Sequence, residues 1–384
     1  MTAAEQNLIL QIEKEYGQSI WMDNLSRDII RSGELKRLTE ERGIHGITSN
    51  PTIFEKAIAG NQIYDADIEA GIKEGKSVQA IYESLVFEDI REACDILRPI
   101  YDETDGLDGY VSIEVPPTIA QDTESTLSEA RRYYKEIGRE NVMIKIPGTP
   151  EGLPAVEAAI RDGININVTL LFSVQSYIDT AYAYIRGLEK RVEDGNDISK
   201  IASVASFFLS RIDVKIDKMI DEKVKGEDEE ATKAKLEAIK GKVAIANAKI
   251  AYQEFKKIFS SDRWKALEAK GAHLQRLLWA STGTKNPDYS DVMYVDELVG
   301  RNTVNTMPPD TIEACADHCH PGDRIETDIE ACYQLMETLK DSEVNIDLDQ
   351  VMAELLAEGI DKFVKPYESL LSSLDSKVKK LAAV

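Results

Sequence analysis

Residues 142–149 read VMIKIPGT. Along Val142 to Ile146, strand alternation sets Val142, Ile144 and Ile146 on one face and Met143 and Lys145 on the other. A lysine inside so apolar a strand is costly unless it is paired or put to use. Desolvation lowers the pKa of an amine, and the neutral amine is the form that attacks a carbonyl. An edge strand with its lysine in water explains the same five residues, and this stretch alone does not separate the two readings.

Working outward, seven more short apolar runs alternate with long amphipathic stretches. The runs are Ser19 to Asp23, Gly46 to Asn50, Gly109 to Val115, Ile166 to Phe172, Ala202 to Phe208, Leu274 to Ser281 and Asn302 to Thr306. Helical patterns cover Ser77 to Leu97, Thr126 to Ile137 and Leu153 to Asp162. Strands alternating with helices imply βαβ units and a parallel sheet, and eight such strands suit a (β/α)₈ TIM barrel. Two stretches exceed the minimal barrel. A charged helical segment runs from about Asp217 to Phe259, within which GEDEEATKAK (Gly226 to Lys235) reads as the start of a solvated helix. A second helix is expected from Asp347 to Leu371, with Asp347 as its N-cap and Gln350 three residues on. No repeat or linker divides residues 1–384, which are expected to form one α/β barrel domain with added N- and C-terminal helices, the helical extension beginning after about residue 325. Asn345, Asp347 and Asp349 alternate as in a calcium loop, but the required glycine is absent and Leu356 replaces the bidentate glutamate, so an EF-hand is rejected.

Polar residues gather at the C-terminal ends of these strands, where TIM barrels build their active sites. Trp21 and Asp23 share a face of the first strand, and Asn50 ends the second. Ser112 and Glu114 share a face of the third, and Asn165, Asn167 and Thr169 a face of the fifth. Ser206 pairs with Phe208 on the sixth, and Trp279 with Ser281 on the seventh. One such residue is usually a cap; agreement across the strands points to a shared site.

The formal charge is −23, from 46 basic and 69 acidic residues. That excludes a nucleic-acid binder, whose partner requires a basic face, and obliges any anionic substrate to find a local positive pocket. No apolar run is long enough to span a membrane. The opening MTAAEQNLILQIEKEYG reads as an amphipathic helix and not as a secretion signal, so a cytoplasmic protein is expected. Four cysteines make no disulfide framework.

The segments GITSNPTIFEKAI, VMIKIPGT, NINVTLLFS and SFFLSRID together resemble the transaldolases, over about Trp21 to Pro308. The resemblance implies a transferase that moves a dihydroxyacetone unit between sugar phosphates. The donors would be sedoheptulose 7-phosphate or fructose 6-phosphate, and the acceptors glyceraldehyde 3-phosphate or erythrose 4-phosphate. On this likeness Lys145 forms the Schiff base and Asp23 takes the C4 hydroxyl proton. Glu114 and Thr169 hold a proton-shuttling water. Asn50 and Asn167 bind the dihydroxyacetone hydroxyls, Ser206 and Phe208 line the pocket, and Arg211 binds phosphate beside Ser281. No cofactor or metal is implied. The chain departs from the likeness at Gly283, where many transaldolases place an arginine; Lys285, in ASTGTKNP, could supply the missing charge. Monomer and homodimer both remain open.

Two rivals stand beside this reading. A Schiff-base aldolase that cleaves without transfer shares the half-reactions. A metal or redox sensor could be built on CADHCH, whose Cys315, His318, Cys319 and His320 are dense in potential ligands. A metal-dependent aldolase fits less well, because His45 and His273 are isolated and no strand end offers a histidine cluster.

Overall fold

Eight strands pair side by side in chain order, all parallel, and the eighth closes on the first. The computed structural model describes residues 7–382. The strands are β1 (Gln18–Asp23), β2 (Gly46–Thr48), β3 (Tyr110–Glu114), β4 (Val142–Pro147), β5 (Ile166–Leu171), β6 (Ser203–Phe208), β7 (Arg276–Ala280) and β8 (Thr303–Met307). Helices follow the strands and bury the outward apolar face of each, as in a (β/α)₈ barrel. No helix among the described residues is long and apolar enough to cross a membrane.

The barrel interior is polar at both ends. At the N-terminal floor Asp108 accepts hydrogen bonds from Ser19 Oγ at 2.6 Å, Trp21 Nε1 at 2.9 Å and Arg276 Nη2 at 2.9 Å. All four residues are buried. Burial alone would raise the Asp108 pKa, but the Arg276 guanidinium and these hydrogen bonds outweigh it and hold the carboxyl below its usual range. Gly46 is a glycine because a Cβ there would stand 2.3 Å from the Trp21 ring. Higher up, Asn167 donates to Ser112 Oγ at 3.1 Å and accepts from Ser206 Oγ at 2.7 Å, tying β3, β5 and β6 together across the interior.

Several expected boundaries shift, each for a local reason. β2 stops at Thr48, because Asn50 leaves the strand to cap the helix Pro51–Ile58, its side chain accepting from the Ile53 amide at 3.0 Å. β5 ends at Leu171 through a bulge, with Leu170 at φ 59°. β7 is shorter at both ends than Leu274 to Ser281. Its Trp279 does not share the cavity with Ser281: it points outward, packs on Phe207 at 6.1 Å and donates to the Leu298 carbonyl. Ser281 reaches the cavity only because its backbone turns left-handed, at φ 57°.

The helix expected from Ser77 to Leu97 runs Val78–Glu103, capped by Ser77 and continuing through Pro99. The stretch expected as continuous from Asp217 to Phe259 is three helices, Ser210–Lys225, Glu230–Glu237 and Val243–Ile258, broken at Gly226 and Gly241. At the N-terminus a helix covers Leu8–Tyr16, capped by Asn7; the part of the expected helix over residues 1–6 lies outside the described residues. Asp347 does cap the last helix, accepting from the Gln350 amide at 3.1 Å. That helix extends well beyond Leu371, over Leu348–Ala382 with Pro366 inside it.

The floor cluster makes a testable claim. Asp108→Ala leaves the buried Arg276 guanidinium without its carboxylate and should cost about 3–5 kcal/mol. Asp108→Leu combined with Arg276→Met should recover most of it, since a hydrophobic pair replaces both charges. Chemical denaturation checks both; an unchanged midpoint in Asp108→Ala would show that the cluster contributes nothing.

Candidate active site

At the C-terminal end of the barrel the strands converge on a cavity of about 120 Å³ that opens into a wider mouth of about 570 Å³. Asp23, Asn50, Lys145, Thr169, Ser206, Phe208, Arg211, Ser281 and Lys285 all line the inner cavity. These are nine of the eleven residues singled out in the sequence. Glu114 and Asn167 do not line it. Asn167 is committed to Ser112 and Ser206 just beneath, leaving one amide proton free.

Pairing register sets the centre. Glu114 lies opposite Lys145, and Lys145 opposite Asn167, so strand pairing brings these three side chains to one level. Lys145 is 4% exposed, and its ammonium nitrogen donates to the Ser49 carbonyl at 3.0 Å, with Glu114 Oε2 at 3.8 Å. It is therefore no edge-strand lysine facing water. Both Glu114 carboxylate oxygens are buried without a hydrogen-bond partner, and so is Thr169 Oγ1. Burial pushes the Glu114 carboxyl up to about 7, against the pull of Lys145 and Arg211 and with the help of Asp23.

Asp23 ends β1, is half-buried, and lines both the inner cavity and its wider mouth. Burial raises its pKa, opposed first by Lys145 and then by a hydrogen bond from Thr48 Oγ1 at 2.7 Å. Thr48 in turn meets Thr306 Oγ1 at 2.6 Å. Neither threonine was singled out in the sequence, although Thr48 precedes Asn50 by two in TSN and alternation alone would turn it inward.

At the mouth, Arg211 opens the helix Ser210–Lys225. Among the described residues its guanidinium makes no salt bridge; burial lowers its pKa, with Asp23, Glu114 and Glu358 pulling the other way. Ser281 and Ser210 share a 2.8 Å hydrogen bond beside it. Lys285 Nζ lies 3.7 Å from where a Cβ on Gly283 would stand, so it occupies space next to the absent side chain. Phe363, from the final helix, also lines the cavity. Nothing in the sequence marks it, since it is far along the chain in an ordinary amphipathic pattern.

The CADHCH ligands come apart. Cys315 and Cys319 are buried with their sulfurs 3.0 Å from each other, whereas His318 pairs with Asp291 and Asp317 and His320 with Asp296, all at the surface. The one cluster of metal-ligand type among the described residues, Glu13, His45 and Asp108, lies at the floor, where Arg276 holds Asp108.

A buried lysine amine, two carboxyls with raised pKa values and cations without salt bridges among the described residues suit imine chemistry on an anionic carbonyl compound. Comparison with known proteins agrees. Residues 20–374 match the family model described as transaldolase/fructose-6-phosphate aldolase. The chain is 72% identical to the transaldolase of Trichodesmium erythraeum over 98% of this chain and 99% of that one. It is 69% identical to transaldolase 2 of Nostoc sp., over 98% and 99%. With the transaldolase of Saccharopolyspora erythraea it shares 47% over 96% and 97%.

The raised Glu114 pKa has a consequence for stability. A carboxyl whose pKa rises on folding stabilises the native state below its unfolded value, and that contribution is lost as pH climbs through the folded value. Here the window runs from 4.5 to about 7. Glu114→Gln stays neutral, so it should gain stability over the wild type across that window, by on the order of 1–3 kcal/mol. Denaturant titrations at several pH values read the difference; a flat difference would mean Glu114 ionises as freely in the fold as in the open chain.

Proposed function

The chain belongs to the transaldolase/fructose-6-phosphate aldolase family, and on that premise we propose that it carries a dihydroxyacetone unit from sedoheptulose 7-phosphate or fructose 6-phosphate to glyceraldehyde 3-phosphate or erythrose 4-phosphate through an imine on Lys145. As a transaldolase it is a transferase acting on sugar phosphates. We place it in the non-oxidative pentose phosphate pathway of the cytoplasm, with residues 1–384 as one barrel domain.

The burial of Lys145 in a strand end, with no carboxylate within hydrogen-bond reach, carries the reading. Lys145 adds as the neutral amine to the ketose C2 carbonyl, and loss of water gives the iminium. Glu114 and Thr169, whose oxygens lack partners, hold the water that exchanges protons in that step and its reversal. Asp23, as carboxylate, takes the C4 hydroxyl proton. The C3–C4 bond breaks, its electrons pass to the iminium as an enamine, and the aldose phosphate leaves. The acceptor aldehyde is attacked by C3, and Asp23 returns its proton to the new alkoxide. Asn50 keeps its amide protons for a substrate hydroxyl, because its oxygen is already capping a helix. Asn167 offers its one free proton, and Ser206 and Phe208 form the wall. Arg211, Lys285 and Ser281 receive the phosphate, and Lys285 stands in for the arginine absent at Gly283.

Borohydride reduction with fructose 6-phosphate should modify Lys145, as peptide mapping would show. Lys145→Ala should lose both trapping and transfer. Asp23→Ala should still yield the trapped adduct while losing cleavage, and Glu114→Ala should slow appearance of the adduct, each by on the order of 10²–10⁴ in rate. Trapping at another lysine would remove Lys145 from its role, and loss of cleavage alone in both carboxyl variants would refute their division of labour.

Arg211→Ala should raise KM for erythrose 4-phosphate far more than for unphosphorylated glyceraldehyde. Lys285→Ala should do so more weakly, since an ammonium contacts phosphate as a point charge without a planar fork. Equal losses on both acceptors would take these residues out of the phosphate site.

A further inference from the structure

The final helix, Leu348–Ala382, crosses the barrel mouth and touches the most exposed end of the proposed site. Its Phe363 is buried and stands on one side of Arg211, with the guanidinium carbon 5.7 Å from the ring centroid; Phe208, from β6, stands 5.2 Å away. Arg211 Nη1 is buried with no hydrogen-bond partner. A guanidinium held by two aromatic rings while an N–H edge goes unsatisfied is poised for an anion.

The helix is shaped to keep it so. One turn before Phe363, Gly359 lets the helix come close: a Cβ there would lie 2.9 Å from Leu170 Cδ2 and 3.5 Å from Arg211 Nη1. The nearest acid on the helix, Glu358, is taken by Lys215 at 2.5 Å, and Glu354 by the same lysine at 2.7 Å. Among the described residues Arg211 forms no salt bridge with either acid, although Glu358 still acts on it through space.

We infer that the C-terminal helix completes the phosphate subsite, with Phe363 as a positioning residue that holds Arg211 between its own ring and Phe208 at the cavity wall. This rests on the reading that Arg211 binds substrate phosphate. Selectivity for phosphorylated over unphosphorylated sugars is then set partly by a helix outside the barrel.

The test compares acceptors at saturating fructose 6-phosphate. Phe363→Leu and Phe363→Met keep the apolar volume but remove the ring, whereas Phe363→Tyr keeps a ring. The Leu and Met variants should raise KM for erythrose 4-phosphate about tenfold, the size expected for a partly desolvated cation–ring contact. KM for glyceraldehyde and kcat should change much less, and Phe363→Tyr should restore most of the lost affinity. Thermal unfolding confirms that each variant folds. If Leu, Met and Tyr behave alike, or if both acceptors lose equally, Phe363 is only packing and the inference falls. Arg211→Ala, assayed alongside, separates the two ideas: no phosphate selectivity there overturns the phosphate role of Arg211 itself, whereas selectivity there with none at Phe363 overturns only the role of the helix.

Discussion

A lysine and a glutamate held 3.8 Å apart inside a barrel, both shut away from water, set the terms for everything around them. Burial opposes the charged form of Glu114, and Lys145 gives its hydrogen bond to the Ser49 carbonyl and not to the carboxylate. The pairing of β3 with β4 imposes this, because Glu114 and Lys145 occupy the same register level. A one-residue slip of either strand would turn one of the two outward into the helical layer. The floor cluster around Asp108 and the Ser112–Asn167–Ser206 chain span the interior between strands, and so help hold that register. These supporting groups satisfy one another, whereas both Glu114 carboxylate oxygens and Thr169 Oγ1 are left without a partner at the proposed centre.

The same logic resolves the mismatch between a strongly acidic chain and an anionic ligand. Surface arginines such as Arg132, Arg139 and Arg263 are engaged by carboxylates of their own. At the mouth the pattern changes. Among the described residues Arg211 has aromatic faces in place of a salt-bridge partner, and Lys285 is exposed beside the cavity without a salt bridge. Cations without resident anions, in a recess with low-dielectric walls, attract an anion despite the repulsive overall charge.

The fold was legible because a barrel of parallel strands repeats one signal, an apolar run with polar residues at its C-terminal end. Alternation marked Lys145, Asp23 and Glu114 as polar groups on strand faces, and the family resemblance supplied their roles. Where alternation did not set a side chain's direction, or set it wrongly, there is a physical cause in each case. Asn50 and Ser281 lie past the ends of their strands, so their directions are set by a cap and by a left-handed backbone. Trp279 was assigned to the cavity face by counting back from Ser281, and that left-handed turn breaks the count. Thr48 obeys the alternation but lies in so short a strand that only its neighbour stood out. Phe363 was not legible at all: its proximity to Arg211 is a tertiary fact, produced by a helix whose own pattern says only that one face is buried.

That helix also explains a strained residue in β5. Leu170 adopts a left-handed conformation that a leucine rarely takes, at a cost of about 1–3 kcal/mol. The bulge breaks the alternation after Thr169, so Thr169 still faces the cavity while Leu170 packs against Gly359 of the crossing helix. A regular strand would not present the two side chains in these directions. A leucine on β5 and a glycine on the final helix are therefore two halves of one contact, and its strain is offset by the apolar surface the helix covers. The helix reaches the Arg211 end of the cavity over a strand whose bulge turns Leu170 toward it, so Phe363 and the strand-end residues line one cavity.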